Sequence, residues 1–128
     1  MGETENTPVE EPVSDSILNT VKIGIGGVTV ENTDFDPILI MLINTTFSTL
    51  KQLGVGDDFE ITGPSEEWAD YGITDISILN MVKQYITHSV KLGFDPPVNS
   101  SALEVIKNEI ARLEWRLNVY VDPESNPV

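Results

Sequence analysis

The chain is 128 residues long and 40% hydrophobic, contains no cysteine, and sets 21 acidic side chains against 7 basic ones, a formal charge of −14. That length supports one domain around a single core, and the apolar content is too high for a wholly disordered acidic chain. The absence of cysteine excludes disulfides and Cys-based zinc sites, and so large a negative charge excludes an ordinary groove or phosphate reader, which needs a basic face.

In chain order, residues 1–14 form an acidic tail. With Asp15 they bring five carboxylates and no base, and too few apolar side chains to offset the entropy of ordering. No basic and apolar leader opens the chain, and the longest apolar run, Ile38–Ile43, is far too short for a membrane span. The expected setting is intracellular and soluble, so the N-x-[ST] matches at Asn44 and Asn99 carry no weight as glycosylation sites.

Four helical segments follow. Ser14 or Asp15 caps a short first helix over 16–22, with Ile17, Leu18 and Val21 on one side; Gly24, Gly26 and Gly27 end it. An extended connector over 27–30 leads to the second helix, over about 35–53. Thr33 and Asp36 resemble a capping box there, Pro37 lies in the first turn, and Phe35, Leu39, Leu42, Ile43, Phe47 and Leu50 repeat at helical spacing before Gly54.

Between 55 and 63, Phe59 and Ile61 alternate around Glu60, which allows a short strand or β-hairpin. Ser65 then precedes an acidic turn whose Trp68 and Tyr71 are expected to fold back on the core. The third helix starts at Thr74 or Asp75, turns Ile78, Leu79, Val82, Tyr85, Ile86 and Ser89 inward, and is stopped by Gly93 and Pro96-Pro97. Asn99 or Ser100 caps the fourth, whose Leu103, Ile106, Ile110, Leu113 and Leu117 make a heptad-like seam. The fold class is therefore all-α: two long antiparallel helices, shorter helices, and an extended C-terminal segment. Residues 117–121 alternate and suit strand pairing with another chain. The domain covers 15–121, and 122–128 is a second tail.

The chemical motifs are weak. Asn32-x-Asp34-x-Asp36 opens like a calcium loop, but Pro37 stands where glycine is needed and Ile43 where a bidentate Glu is needed. Gly24-x-Gly26-Gly27 lacks the Gly-Lys-Ser/Thr ending of a phosphate loop. His88 is the only histidine, and nothing marks a nucleophile elbow around it. No catalytic residue, metal or cofactor is expected. The charge distribution says more. Glu31, Asp34, Asp36, Asp57, Asp58, Glu60, Glu66, Glu67, Asp70 and Asp75 face one base, Lys51, within 31–75, whereas the fourth helix mixes both signs. Trp115 falls off the seam: it fills a second core face or, with Arg116, anchors a partner, since these residue types dominate interface hot spots.

Three blocks in order are familiar: Ile43-Asn44-Thr45-Thr46-Phe47 through Gly54-Val55-Gly56, then Phe94-Asp95-Pro96-Pro97, then Leu103-Glu104 through Leu113-Glu114-Trp115-Arg116-Leu117-Asn118-Val119. Over about residues 15–119 the chain resembles the tailed-phage head–tail connector (adaptor, head-completion) proteins. The resemblance implies a small helical virion protein at the neck, made in the host cytoplasm. It also implies a ring of twelve copies docked on the portal, extending the DNA channel and receiving the next neck or tail protein. No enzymatic activity, cofactor or membrane contact is implied, and DNA passes without specific binding. In that setting the portal contact is expected at Trp115, Arg116, Asn118, Val119, Tyr120 and Val121. The channel lining is expected at Asp57, Asp58, Glu60, Glu66, Glu67 and Asp70. The alternative from another class is an acidic DNA mimic or inhibitor seated in the basic groove of a nucleic-acid enzyme or repressor.

Overall fold

A computed structural model describes residues 15–122, so the expected N-terminal tail, 1–14, and all but the first residue of the expected C-terminal tail, 122–128, lie outside the described residues. It contains five helices: α1 (Ile17–Ile25), α2 (Asp36–Gln52), α3 (Trp68–Tyr71), α4 (Ile76–Phe94) and α5 (Ser100–Val121). The all-α reading holds.

Each boundary has a local cause. Ser16 Oγ accepts from Asn19 N at the start of α1. Asp75 Oδ1 accepts from Ser77 N and Ile78 N at the start of α4, and Asn99 Oδ1 accepts from Ala102 N at the start of α5. These caps satisfy amide groups that a helix leaves without internal partners. The second helix is the exception. Phe35 occupies its cap position without a side-chain bond, and Thr33 contributes its backbone carbonyl to Asp36 N, so the capping box is not formed. The Asp36 carboxylate is taken by Lys22 instead, at 2.7 Å.

Helix α4 is the centre of the molecule, packing against α1, α2 and α5. Its Val82, Ile86 and Val90 are fully buried among Leu18, Val21, Leu39, Ile43, Phe47 and Leu50. Gly93 lies within α4 rather than stopping it; a side chain there would come within 3.1 Å of Leu42 Cδ2, so the glycine lets α2 approach closely. The chain leaves α4 at Asp95 and returns as α5. Tyr85 Oη donates to Glu114 Oε2 at 2.6 Å, and Tyr120 and Val121 reach Ile78 at the start of α4. These links run in opposite directions along the two helices, which makes the pair antiparallel.

Two further local expectations are overturned. No strand forms over 55–63: Phe59 and Ile61 alternate because they pack inward, and the backbone of Ile61 is held by a side chain rather than by a paired strand. The only β-type pairing among the described residues is a single bridge between Ser16 and Glu67. Residues 117–121 are not extended either. They continue α5, because Leu117 is fully buried on the helical seam and Val121 packs against Gly54. Gly54 has φ +89, a conformation that side-chain-bearing residues rarely adopt, and it turns the chain directly beneath Val121.

Two tyrosines tie this architecture to alkaline pH. Burial, and then the Asp57 charge, raise the Tyr71 phenol to about 12; burial, and then the Glu114 carboxylate, raise Tyr85 as well. A phenol whose folded pKa lies above its ordinary value of 10.0 contributes stability that is complete below that pH and is lost as pH rises through the folded value. Melting temperature should therefore fall as pH rises from about 10 to about 12. In the Tyr85→Phe variant part of that fall should disappear.

Candidate functional surfaces

All six acids expected to line a channel lie on the segment between α2 and α4, and the structure explains how that segment is held. Its inward side is apolar. Phe59 meets Phe47 at 5.1 Å and Tyr71 at 5.4 Å between ring centroids, and Phe47 also contacts Trp68 and Tyr71. Asn44 on α2 grips the backbone of Ile61 from both sides: its Nδ2 donates to the Ile61 carbonyl at 3.0 Å, and its Oδ1 accepts from Ile61 N at 2.8 Å. Ile17 N donates to the Glu66 carbonyl, and Trp68 N to that of Asp15. The segment is thus held by rings and backbone bonds, and its carboxylates are left to face outward.

These carboxylates are not equivalent. Asp57, Asp58, Glu60, Glu67 and Asp70 are exposed, and Glu66 is half-buried. Glu66 accepts from the Thr62 hydroxyl at 2.8 Å and from Thr62 N and Gly63 N. The Thr62 hydroxyl, more than any other partner, holds its carboxyl below the usual carboxylate range. Asp70 Oδ2 accepts from Glu67 N at 2.8 Å and closes the first turn of α3. Asp58 lies 3.2 Å from Lys51, with both side chains well exposed, where screening leaves such a pair little energy. Reversing Asp57, Asp58 and Glu60 to lysine should therefore change the free energy of unfolding by no more than about 0.5 kcal/mol each. Urea titration checks this, with Glu66→Lys, which strips three hydrogen bonds from the 62–66 turn, as the contrasting variant.

The residues expected to meet a portal all fall on the last two turns of α5, but they do not share a face. Trp115 is 56% exposed and lies off the seam of Leu113 and Leu117, with Arg116 exposed beside it and Val119 half-buried. Asn118 is exposed on a third side. Tyr120 and Val121 instead border an open groove of about 230 Å³ with Gly54–Gly56 and Gly72–Asp75.

The calcium-like triplet is dispersed by the fold. Asn32 Oδ1 accepts from Asp34 N in a local turn, while Asp36 belongs to Lys22. Among the described residues no group of His, Asp or Glu is placed to hold a metal ion. His88 is half-buried beside Gln84 and Thr87 in a groove between α1 and α4.

Two residues escaped the sequence reading. Lys22 is 1% exposed, its ammonium donating to Asp36 Oδ1 and to the Val30 carbonyl at 3.1 Å. Its signal was its position, four residues after Leu18 and three before Ile25, on the apolar side of α1. Asn44 gave no signal that separates a clamp from an exposed polar residue.

No helix among the described residues is long and apolar enough to cross a membrane. No curated protein and no solved structure matches the chain. A family model described as phage connector protein matches residues 17–124, from the first residue of α1 to just beyond the end of α5. That family is structural rather than enzymatic, and its members work between phage head and tail proteins. The chain therefore belongs to the phage connector protein family.

Proposed function

We propose that this chain is a head–tail adaptor of the virion neck, twelve copies of which form a ring on the portal vertex, extend the DNA channel and seat the next neck protein. The match over 17–124 carries this reading. The portal contact is assigned to the end of α5, through Trp115, Arg116, Asn118, Val119, Tyr120 and Val121. Exposed aromatic side chains beside an arginine suit such an anchor.

The lumen is assigned to the 57–70 segment, with Asp57, Asp58, Glu60, Glu66, Glu67 and Asp70 turned toward passing DNA. Twelve copies at −14 each amount to roughly −170 before counterions. Such a wall repels phosphates and favours sliding over adhesion. A cryo-EM map of the neck tests the assignment directly. Density for the chain beneath the portal with the 57–70 segment inward supports it; the segment on the outer rim, or the chain missing from the neck, overturns it. In particles, lysine at Asp57, Asp58 and Glu60 should slow DNA ejection.

Like-charged copies also resist closing a ring without a template. The purified chain is expected to scatter light as a monomer at low salt and to assemble only when portal is added. A stable ring in the absence of portal contradicts this.

A further inference from the structure

Two separate surfaces of the molecule complement each other. Between α1 and α4 lies an open groove of about 360 Å³ lined by Thr20, Ile23, Gly24, Lys83, Thr87 and His88, together with Gln84. Its lining is mostly apolar, Ile23 on its border is 63% exposed, and among the described residues its lining includes one lysine, Lys83, and no carboxylate. Lys83 is held there with its ammonium over the Trp68 ring, 5.4 Å from the centroid.

The second surface is a band on the outer side of α2. Phe35, Ile38 and Met41 follow at three-residue spacing, and each is more than one-third exposed. Phe94 braces Phe35 edge-to-face at 5.4 Å. The band is rimmed at its start by Glu31 and Asp34, both exposed. An apolar strip with an acidic rim is what an apolar groove with a basic rim accepts.

The two surfaces also point apart. Lys83, Gln84, Thr87 and His88 occupy one side of α4, while Val82, Ile86, Val90 and Gly93, the stripe that meets α2, occupy another. At about 100° per residue the stripe centres lie roughly 135° apart. On α2 the band starts beside α4, where Phe35 meets Phe94, and runs outward to Met41, which is 55% exposed. Different patches facing different ways form a heterologous contact, which propagates from copy to copy instead of closing as a twofold dimer.

We propose that the α1–α4 groove of one copy receives the Phe35–Ile38–Met41 band of the next, and that this is the lateral contact between subunits. The inference rests on the ring reading above and adds the interface to it. It also eases the repulsion locally, because each contact sets Lys83 of one acidic chain against an acidic rim of its neighbour.

The test uses the absence of native cysteine. Particles are assembled from a mixture of Ile23→Cys and Met41→Cys chains and treated with a short bismaleimide, and the joined peptides are identified by mass. A link between positions 23 and 41 can form only between two chains. Mixed links are expected to exceed either same-site link by about tenfold. Lys83→Glu in the Ile23→Cys chain, or Asp34→Lys alone in its partner, should lower the yield about fivefold, and the two together should restore it. Predominant same-site links, links from position 23 to another protein, or no link in particles that contain the chain each overturn the contact while leaving the connector reading intact. Absence of the chain from particles overturns that reading and this contact with it.

Discussion

Lys22→Ala should lower the free energy of unfolding by about 3–5 kcal/mol, read as a shift of the urea midpoint. Lys22 is 1% exposed, and its ammonium holds two otherwise separate parts of the chain: the Val30 carbonyl in the connector and the Asp36 carboxylate at the first turn of α2. Removing it leaves a carboxylate that is only 17% exposed without its cation, and truncating the stem opens a cavity in α1. The position of Asp36 in the first helical turn softens the loss, since the positive end of the α2 dipole still faces it. The double replacement Lys22→Met with Asp36→Leu should recover most of the stability, because exchanging both members of a buried pair for apolar groups removes the desolvation cost of each. A Lys22→Met single variant as stable as wild type would show that the pair does not hold the connector.

Phe47→Ala should cost about 3–5 kcal/mol by the same measurement, for a different reason. The Phe47 ring is 1% exposed and touches Tyr71 at 4.8 Å, Phe59 at 5.1 Å and Trp68 at 6.5 Å between centroids. It is the one aromatic ring that α2 offers to the acidic segment, so its removal empties the space between them. Trp68, whose Nε1 donates to the Thr20 hydroxyl at 3.2 Å, reports on this locally. Its fluorescence in native buffer should shift toward that of a hydrated indole in the alanine variant and stay unchanged in Asp58→Lys. A Phe47→Ala protein that keeps wild-type stability would separate the acidic segment from the core.

Helix spacing was legible from the chain because apolar periodicity and caps act over a few residues. Asp75 and Asn99 cap where their side chains imply, and Trp68 and Tyr71 turn inward as expected for large rings beside a short polar turn. What failed depended on partners distant in sequence. The Phe59–Ile61 alternation looked like a strand, but its partner is a side chain seventeen residues earlier on α2. Val119 and Val121 favour extended structure locally, yet the burial of Leu117 and the contact at Gly54 carry the helix to Val121. Gly93 has the local chemistry of a helix stop, but its role is set by Leu42 on α2, which packs against it. Among the surface residues, abundant charge made the exposed acids easy to name. The bound state of Glu66 and Asp70 was hidden, because both bonds are made to turns whose geometry no spacing rule specifies.

The attachment of α5 has a consequence for how the molecule opens. This helix is 22 residues long, yet only Leu113 and Leu117 are fully buried, both in its second half, and it rests on α4. The first half, around Leu103 and Ile106, is held by partial contacts alone. Opening free energy in such a helix is graded along its length, lowest near the Pro96-Pro97 turn and rising toward Leu113. Amide exchange should spread from that turn while the α1–α4 body stays shut. The first half of α5 can thus change its angle to the body, as a hinged flap does, while the end of α4 stays packed on α2.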